Sequence, residues 1–85
     1  MTRGRERRAL VETVRWLMAR GLYAGTSGNV SMRAGARILI TPTGIACDDL
    51  DAASIVELTP DGVARGPLAP SSEWRIHHTF HRLRK

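Results

Sequence analysis

Residues 25–41, GTSGNVSMRAGARILIT, join a polar loop to two short β-forming runs, and the other predictions extend outward from this stretch. The loop holds two glycines, and Thr26, Ser27 and Asn29 lie between or beside them. Glycine permits backbone angles that turn successive N–H groups toward one centre, while hydroxyl and carboxamide groups add donors. The loop therefore predicts an anion-binding site. A turn whose polar side chains satisfy their own backbone is the favoured alternative for an isolated Gly-x-x-Gly.

The two β-forming runs predict an antiparallel hairpin. Residues 30–33 and 37–41 are separated by three small residues that suit a tight connection. Pro42 ends the second run because it has no N–H to donate to a ladder, and residues 41–44 then form a second polar turn. Two small-residue turns are therefore expected close to the ends of the hairpin.

An acidic run follows the hairpin and precedes a third predicted strand. Asp48, Asp49 and Asp51 lack the alternating spacing and the closing glutamate of a calcium loop, so we expect helix capping and solvation instead. Residues 55–58 predict the third strand, and a turn then leads into a brief strand at Val63.

The spacing of apolar residues predicts two helices, one before the predicted strands in the sequence and one after them. Leu10, Val14, Leu17 and Met18 recur at intervals of three and four, which places them on one face of a helix over about residues 5–20. The second helix has a serine pair and a glutamate at its start. Ser71 suits the N-cap, Ser72 and Glu73 fall in the first turn, and the apolar face comprises Ile76, Phe80 and Leu83.

Length and composition describe one small domain with basic ends. The chain has 85 residues, a net charge of +5 and a single cysteine, so it has no internal disulfide and fits a reducing, cytoplasmic compartment. We expect neither nucleic acid nor a membrane as partner, because basic clusters without interleaved aromatics are more often solvated. The cationic residues at the ends are Arg3, Arg5, Arg7, Arg8, Arg82, Arg84 and Lys85.

Three segments, read together, resemble the class II aldolase and adducin family. They are GTSGNVS at residues 25–31, ITPTGI at residues 40–45 and PSSEWR at residues 70–75, in the family's order and at similar intervals. The resemblance extends from the first helix to about His77. It implies an α/β three-layer fold, present here as a helix, a small antiparallel sheet and a C-terminal helix. Residues 1–85 would then be a single partial N-terminal domain of that family.

The resemblance also implies a function. Such enzymes are zinc-dependent aldehyde-lyases that cleave a sugar 1-phosphate, such as L-fuculose 1-phosphate, into dihydroxyacetone phosphate and an aldehyde, and their full-length forms are homo-oligomers. Glu73 matches the catalytic acid/base carboxylate and a candidate zinc ligand. The residues that match the phosphate-binding positions are Thr26, Ser27, Gly28, Asn29, Thr43, Gly44, Ser71 and Ser72.

The family's other zinc ligands are a His-x-His pair downstream of the second helix and a third histidine beyond it, and the sequence ends at Lys85 before them. We therefore expect an incomplete domain that is inactive alone. His77 and His81 have a workable spacing for two ligands, but the sequence lacks His-Glu-x-x-His, and ordinary packed or surface histidines are the preferred interpretation.

Three alternatives stay open. The first is a non-catalytic interaction module similar to the adducin head, which the intact loop residues and Glu73 disfavour. The second is a sugar-phosphate epimerase, a related class that tends to carry aspartate where this chain has Glu73. The third is a basic nucleic-acid-binding fragment, whose affinity would fall steeply with salt.

Overall fold

Four short strands form one antiparallel sheet in which strands that follow one another in the sequence are paired. The computed structural model of the chain describes residues 3–22, 30–66 and 68–83. The elements in chain order are α1 (Gly4–Ala19), β1 (Ser31–Ala34), β2 (Arg37–Ile40), two 3₁₀ turns (Cys47–Asp49 and Ala52–Ser54), β3 (Val56–Leu58), β4 (Ala64–Arg65) and α2 (Trp74–Leu83). Neither helix in the described ranges is long and apolar enough to cross a membrane.

The predicted hairpin is confirmed, with its first strand displaced by one residue. Met32 pairs with Leu39 across β1 and β2, and Ala34 belongs to the strand. The connection is therefore only Gly35 and Ala36, and Gly35 has a φ of 63°, in the left-handed region that glycine tolerates. The third strand is confirmed as β3, whereas the fourth begins at Ala64 rather than at Val63.

Successive residues of β2 point to opposite faces of the sheet, and each face is covered by one helix. Leu39 is fully buried in a cluster with Leu10 and Val14 of α1. Ile38 and Ile40 lie in a second cluster, against which Trp74 of α2 packs. The result is a helix–sheet–helix arrangement, as the predicted three-layer fold requires.

The second helix begins later than the sequence predicts. Ser72 and Glu73 form a turn before α2 rather than its first turn, because the Trp74 N–H bonds the Ser71 carbonyl three residues back, at 3.0 Å. Ser71 still caps the turn, since its Oγ accepts the Glu73 N–H at 3.3 Å.

The apolar face of α2 is largely open to solvent. The side chains are 68 % exposed at Ile76, 53 % at Phe80 and 73 % at Leu83. Trp74 packs against the sheet, and the His78 Nε2, one turn later, lies 3.1 Å from the Thr59 carbonyl oxygen.

The acidic run forms part of a capped turn, as expected. Asp51 accepts the backbone N–H of Ser54 at 2.9 Å and its hydroxyl at 2.8 Å, while the Asp51 N–H reaches the Ser54 Oγ at 3.4 Å. These hydrogen bonds from Ser54 favour the carboxylate and hold the pKa of Asp51 below its ordinary value. Asp48 and Asp49 are exposed.

The interpretation of the N-terminal arginines as solvated is wrong for two of them. Arg7 is only 8 % exposed, and its Nη1 donates to the Ile55 carbonyl. Its Nη2 lies 3.6 Å from Oε1 of Glu57, which is also 8 % exposed. Arg3 approaches the same carboxylate oxygen at 3.6 Å, and Arg37 lies 3.7 Å from the other oxygen. One buried carboxylate therefore joins α1 to β2 and β3, and the helix periodicity does not reveal this because it scores only apolar residues.

Replacement of Glu57 by glutamine should destabilise the domain by about 3 kcal/mol, because it leaves the buried Arg7 guanidinium without its counter-charge. We expect the lower end of the range for buried pairs, since Arg3 and Arg37 are each about a third exposed. Urea unfolding followed by circular dichroism measures the change. Glu12→Gln, on the exposed face of the same helix, is the matched control and should change stability by less than about 0.5 kcal/mol. Equal effects of the two substitutions would contradict this role of Glu57.

Candidate functional site

Two of the three sequence motifs lie side by side in the fold. The Ser71 N–H donates to the Thr41 carbonyl at 2.9 Å, and the Thr43 N–H donates to the Ala69 carbonyl at 3.0 Å. Pro42 and Pro70 form an antiparallel bridge between these contacts. The turn that contains Thr43 and Gly44 is thereby held next to the serine pair.

The segment that follows the glycine loop is hydrogen-bonded to Thr41, whose carbonyl also accepts the Ser71 N–H. The Val30 N–H donates to the Thr41 side-chain oxygen at 3.1 Å, and the Thr41 N–H donates to the Val30 carbonyl at 3.0 Å. Thr41 is fully buried, so water does not compete for these bonds. Thr41 therefore connects three chain segments through its side chain, its N–H and its carbonyl.

The glycine loop itself lies outside the described residues. The predicted phosphate-binding positions affected are Thr26, Ser27, Gly28 and Asn29. The structure describes the chain again from Val30, which follows the loop directly and is bonded to Thr41 on both its N–H and its carbonyl.

The remaining predicted phosphate ligands differ in what they can still donate. Thr43, Gly44 and Ser72 are exposed, whereas Ser71 is only 6 % exposed. The N–H groups of Thr43 and Ser71 are used within the fold. Among the described residues, no hydrogen bond occupies the N–H groups of Gly44 and Ser72 or the hydroxyls of Thr43 and Ser72. These four groups are the donors available to an anion at this position.

Backbone conformation explains why glycine occupies one of these positions. Gly44 has a φ of 74°, in the left-handed region, and no atom lies within 4 Å of the place where a Cβ would be. Glycine is therefore favoured there because another residue would strain the backbone, and not because a side chain would meet neighbouring atoms. Gly44 as a whole is exposed to solvent.

Glu73 is exposed and occupies the turn between the serine pair and α2. Its N–H is bonded to the Ser71 Oγ, and its carbonyl accepts the N–H groups of Ile76 at 3.1 Å and His77 at 3.4 Å. The backbone of this predicted acid/base is thus fixed on both sides. No three histidine, cysteine, aspartate or glutamate side chains in the described ranges are grouped so as to hold a metal ion. Glu73 and its described neighbours therefore do not by themselves fit the zinc site that the resemblance implies.

Sequence reasoning missed Thr41 as a residue that organises the site. Its one available signal is its location between a strand and the Pro-Thr-Gly turn, where a β-branched residue with a hydroxyl can both continue a strand and accept a backbone N–H. That location does not reveal which segments the residue connects.

A family comparison decides the assignment of the whole arrangement. Residues 8–85 match the model of the class II aldolase and adducin N-terminal domain. The chain belongs to the class II aldolase and adducin family. The predicted family and the predicted fold are thus both confirmed.

Curated members of the class II aldolase and adducin family resemble the chain over most of its length. It is 47 % identical over 72 residues to the 5-methylthioribulose-1-phosphate/5-deoxyribulose-1-phosphate aldolase of Rhodospirillum rubrum, an alignment that covers 85 % of the chain and 33 % of that protein. It is 38 % identical over 84 residues to the L-fuculose phosphate aldolase of Escherichia coli, covering 99 % of the chain and 39 % of the relative. The chain therefore spans between a third and two fifths of these relatives.

A solved structure agrees with the sequence comparisons. The chain superposes on an L-fuculose 1-phosphate aldolase with a TM-score of 0.86 at 29 % identity, covering 93 % of the chain and 39 % of that structure. The arrangement of two helices around the small sheet is thus that of the corresponding part of the aldolase.

Replacement of Thr41 by valine should cost about 1–3 kcal/mol, because the shape is kept while the Val30 N–H loses its side-chain acceptor. Chemical denaturation gives the loss. Amide hydrogen exchange should accelerate at Val30, and also at Ser71 if the three segments loosen together. Thr79→Val, at an exposed position of α2, is the matched control and should shift stability by less than about 0.5 kcal/mol. Unchanged exchange at Val30 would show that the Thr41 hydroxyl does not hold this segment.

Proposed function

We propose that this chain carries the phosphate-binding and proton-transfer part of a sugar-phosphate aldolase site. The observation that supports the proposal is the convergence of the Thr43–Gly44 turn, the Ser71–Ser72 pair and the residue after the glycine loop on Thr41. Two segments distant in sequence then present small donors in one region, and the glycine loop directly precedes Val30. Such a set of amide and hydroxyl groups suits a phosphate group, which offers acceptor oxygens only.

The donors suit the phosphate end of the substrate. The Gly44 and Ser72 N–H groups and the Thr43 and Ser72 hydroxyls can each donate one charge-assisted hydrogen bond to a phosphate oxygen. The start of α2 adds the favourable end of a helix dipole. By resemblance, Thr26, Ser27, Gly28 and Asn29 would complete the cradle, and Ser71 would contribute its remaining hydroxyl proton.

Glu73 is proposed as the acid/base. In retro-aldol cleavage the carbon that becomes the aldehyde loses its hydroxyl proton to a base or to water, the carbon–carbon bond breaks, and its electron pair remains on the fragment that carries the carbonyl, as an enediolate. A carboxylic acid within hydrogen-bond reach can then protonate the enediolate carbon, and in the reverse direction the carboxylate removes that proton. Glu73 directly follows the serine pair, so its backbone moves as one unit with the proposed phosphate donors.

The family resemblance assigns the electrophile for the developing enediolate to zinc, a role to which a divalent metal ion is suited. The described residues do not group the ligands that such an ion needs. We therefore limit the proposal for this chain to binding of the phosphate ester and to proton transfer by Glu73.

The substrate class follows from what the relatives share. One relative is named for two ribulose 1-phosphates and another for L-fuculose phosphate, so both names point to a phosphorylated ketose. We propose a ketose 1-phosphate, or its three-carbon fragment dihydroxyacetone phosphate, as the ligand. Glutamate at position 73 favours aldol cleavage over epimerisation, as the family resemblance suggests.

Binding of dihydroxyacetone phosphate tests the phosphate-binding role by calorimetric titration. Ser72→Ala should weaken binding by about tenfold, because one charge-assisted hydrogen bond is worth roughly 1.5 kcal/mol or more. Unphosphorylated dihydroxyacetone should bind at least about 100-fold more weakly, since it lacks the group that the donors recognise. Thr79→Ala serves as the control and should bind like the unaltered chain. Equal binding of the two compounds would refute the role.

Glu73→Gln separates proton transfer from binding. The variant should bind dihydroxyacetone phosphate within about threefold of the unaltered chain, because glutamine keeps the size of the side chain and the phosphate donors lie elsewhere. Proton exchange at the hydroxymethyl carbon, followed by NMR in D₂O with added Zn²⁺, should fall to the rate in buffer. If the unaltered chain does not exceed the buffer rate, or if the variant retains the exchange, Glu73 is not the acid/base of this chain.

A further inference from the structure

Two histidine side chains of α2 meet at one hydroxyl of β1. The Ser31 Oγ lies 2.6 Å from Nδ1 of His77 and 2.9 Å from Nε2 of His81, and both contacts are partly buried. The two histidines are four residues apart on a helix, so they occupy one face. Two imidazole nitrogens are therefore directed at a single point between the helix and the sheet.

An open groove adjoins the Ser31 hydroxyl and the two imidazole rings. Ser31, His77 and His81 line an open groove of about 430 Å³, together with Val30, Ile76 and Phe80. The Phe80 ring meets the His81 ring edge-on, with centroids 5.6 Å apart and an interplanar angle of 83°, which limits rotation of the imidazole.

The third histidine of the helix has a different environment. Nε2 of His78 lies 3.1 Å and 3.0 Å from the carbonyl oxygens of Thr59 and Pro60, at the turn between β3 and β4. Carbonyl oxygens only accept, so this nitrogen carries a proton and has no lone pair for a metal. His78 is consequently an internal control for the other two.

We propose that His77, His81 and Ser31 form a binding site for a divalent transition-metal ion such as Zn²⁺, separate from the zinc site that the family resemblance implies. Two imidazoles spaced four residues apart on one helix face are a recurrent pair of zinc ligands. The Ser31 hydroxyl and water would complete the shell. The ligand set favours Zn²⁺, Ni²⁺ and Co²⁺ over Mg²⁺ and Ca²⁺, which prefer carboxylate and carbonyl oxygens.

The hydrogen bonds at Ser31 are compatible with this chemistry. A hydroxyl can donate to one ring nitrogen and accept an N–H from the other, so both imidazoles can be neutral, the form that binds metal. A tautomer change moves the remaining ring proton to the far nitrogen, and no proton is lost overall. Zinc–imidazole bonds are about 2.0–2.1 Å long, so an ion seated between the two rings and the Ser31 Oγ requires both ring nitrogens to move away from that oxygen, from their present distances of 2.6 Å and 2.9 Å.

Titration of the 85-residue chain with Zn²⁺ tests the site. We expect one ion per chain, and two-dimensional NMR of the imidazole groups should show shifts at His77 and His81 but not at His78. His81→Gln and His77→Gln should each weaken binding by about tenfold or more, since one nitrogen ligand is removed. His78→Gln should leave the Zn²⁺ affinity unchanged.

Glu73→Gln distinguishes the new site from the family site, because it removes the carboxylate of the latter and leaves both histidines of the former. Zn²⁺ affinity that falls in Glu73→Gln and persists in both single histidine variants would overturn the proposal. The proposal would also be overturned by a titration in which the unaltered chain binds no Zn²⁺, or in which only the imidazole resonances of His78 shift. Because the NMR measurement uses the unaltered chain, it decides the matter even if a histidine variant fails to fold. Phosphate-ester binding is independent of this site, so its loss or retention bears only on the proposed aldolase function.

Discussion

The site region depends on the hydrogen bonds of one buried threonine. Thr41 holds Val30 with its hydroxyl oxygen and its N–H, and it holds Ser71 with its carbonyl. In a fully buried position these bonds have no competition from water, and an unsatisfied N–H there would cost about 1–3 kcal/mol. The geometry of the candidate phosphate site is therefore determined by the end of a strand rather than by the residues that would touch the ligand. This constraint explains how a short chain can keep separate polar segments in one region.

A second constraint fixes the position of α1, which covers the face of the sheet opposite to α2. Glu57 lies within ion-pair distance of three guanidinium groups, two from the N-terminal part of the chain and one from β2. We infer that this buried carboxylate helps to specify where the helix docks, because its charge is compensated only where the guanidinium groups approach it. The excess of positive charge at the start of the chain is thus partly an internal requirement of the fold.

Local patterns were sufficient to predict most of the fold. The hairpin, the third strand and the first helix follow from alternation, turn residues and helical spacing, and the family resemblance supplied the three-layer arrangement. The predicted start of α2 is too early, because a serine–serine–glutamate sequence suits an N-cap whether the regular helix begins at once or one turn later. Long-range polar contacts could not be predicted, since the partners of Arg7 and Thr41 are more than ten residues away in sequence. The four-residue spacing groups His77 with His81 on one helix face, but it does not reveal that both side chains contact Ser31 or that His78 bonds backbone carbonyls.

The proposed phosphate-ester site combines the turn before α2 with the Thr43–Gly44 turn. Backbone amide NMR during titration with dihydroxyacetone phosphate tests it most directly, because each proposed donor reports separately. We expect saturable shifts at the Gly44 and Ser72 amides with a common dissociation constant, and none at exposed basic residues such as Arg5 and Arg8. Shifts confined to the arginine-rich start of the chain, with Gly44 and Ser72 unaffected, would show simple charge attraction and would rule out a phosphate-ester site at these two turns.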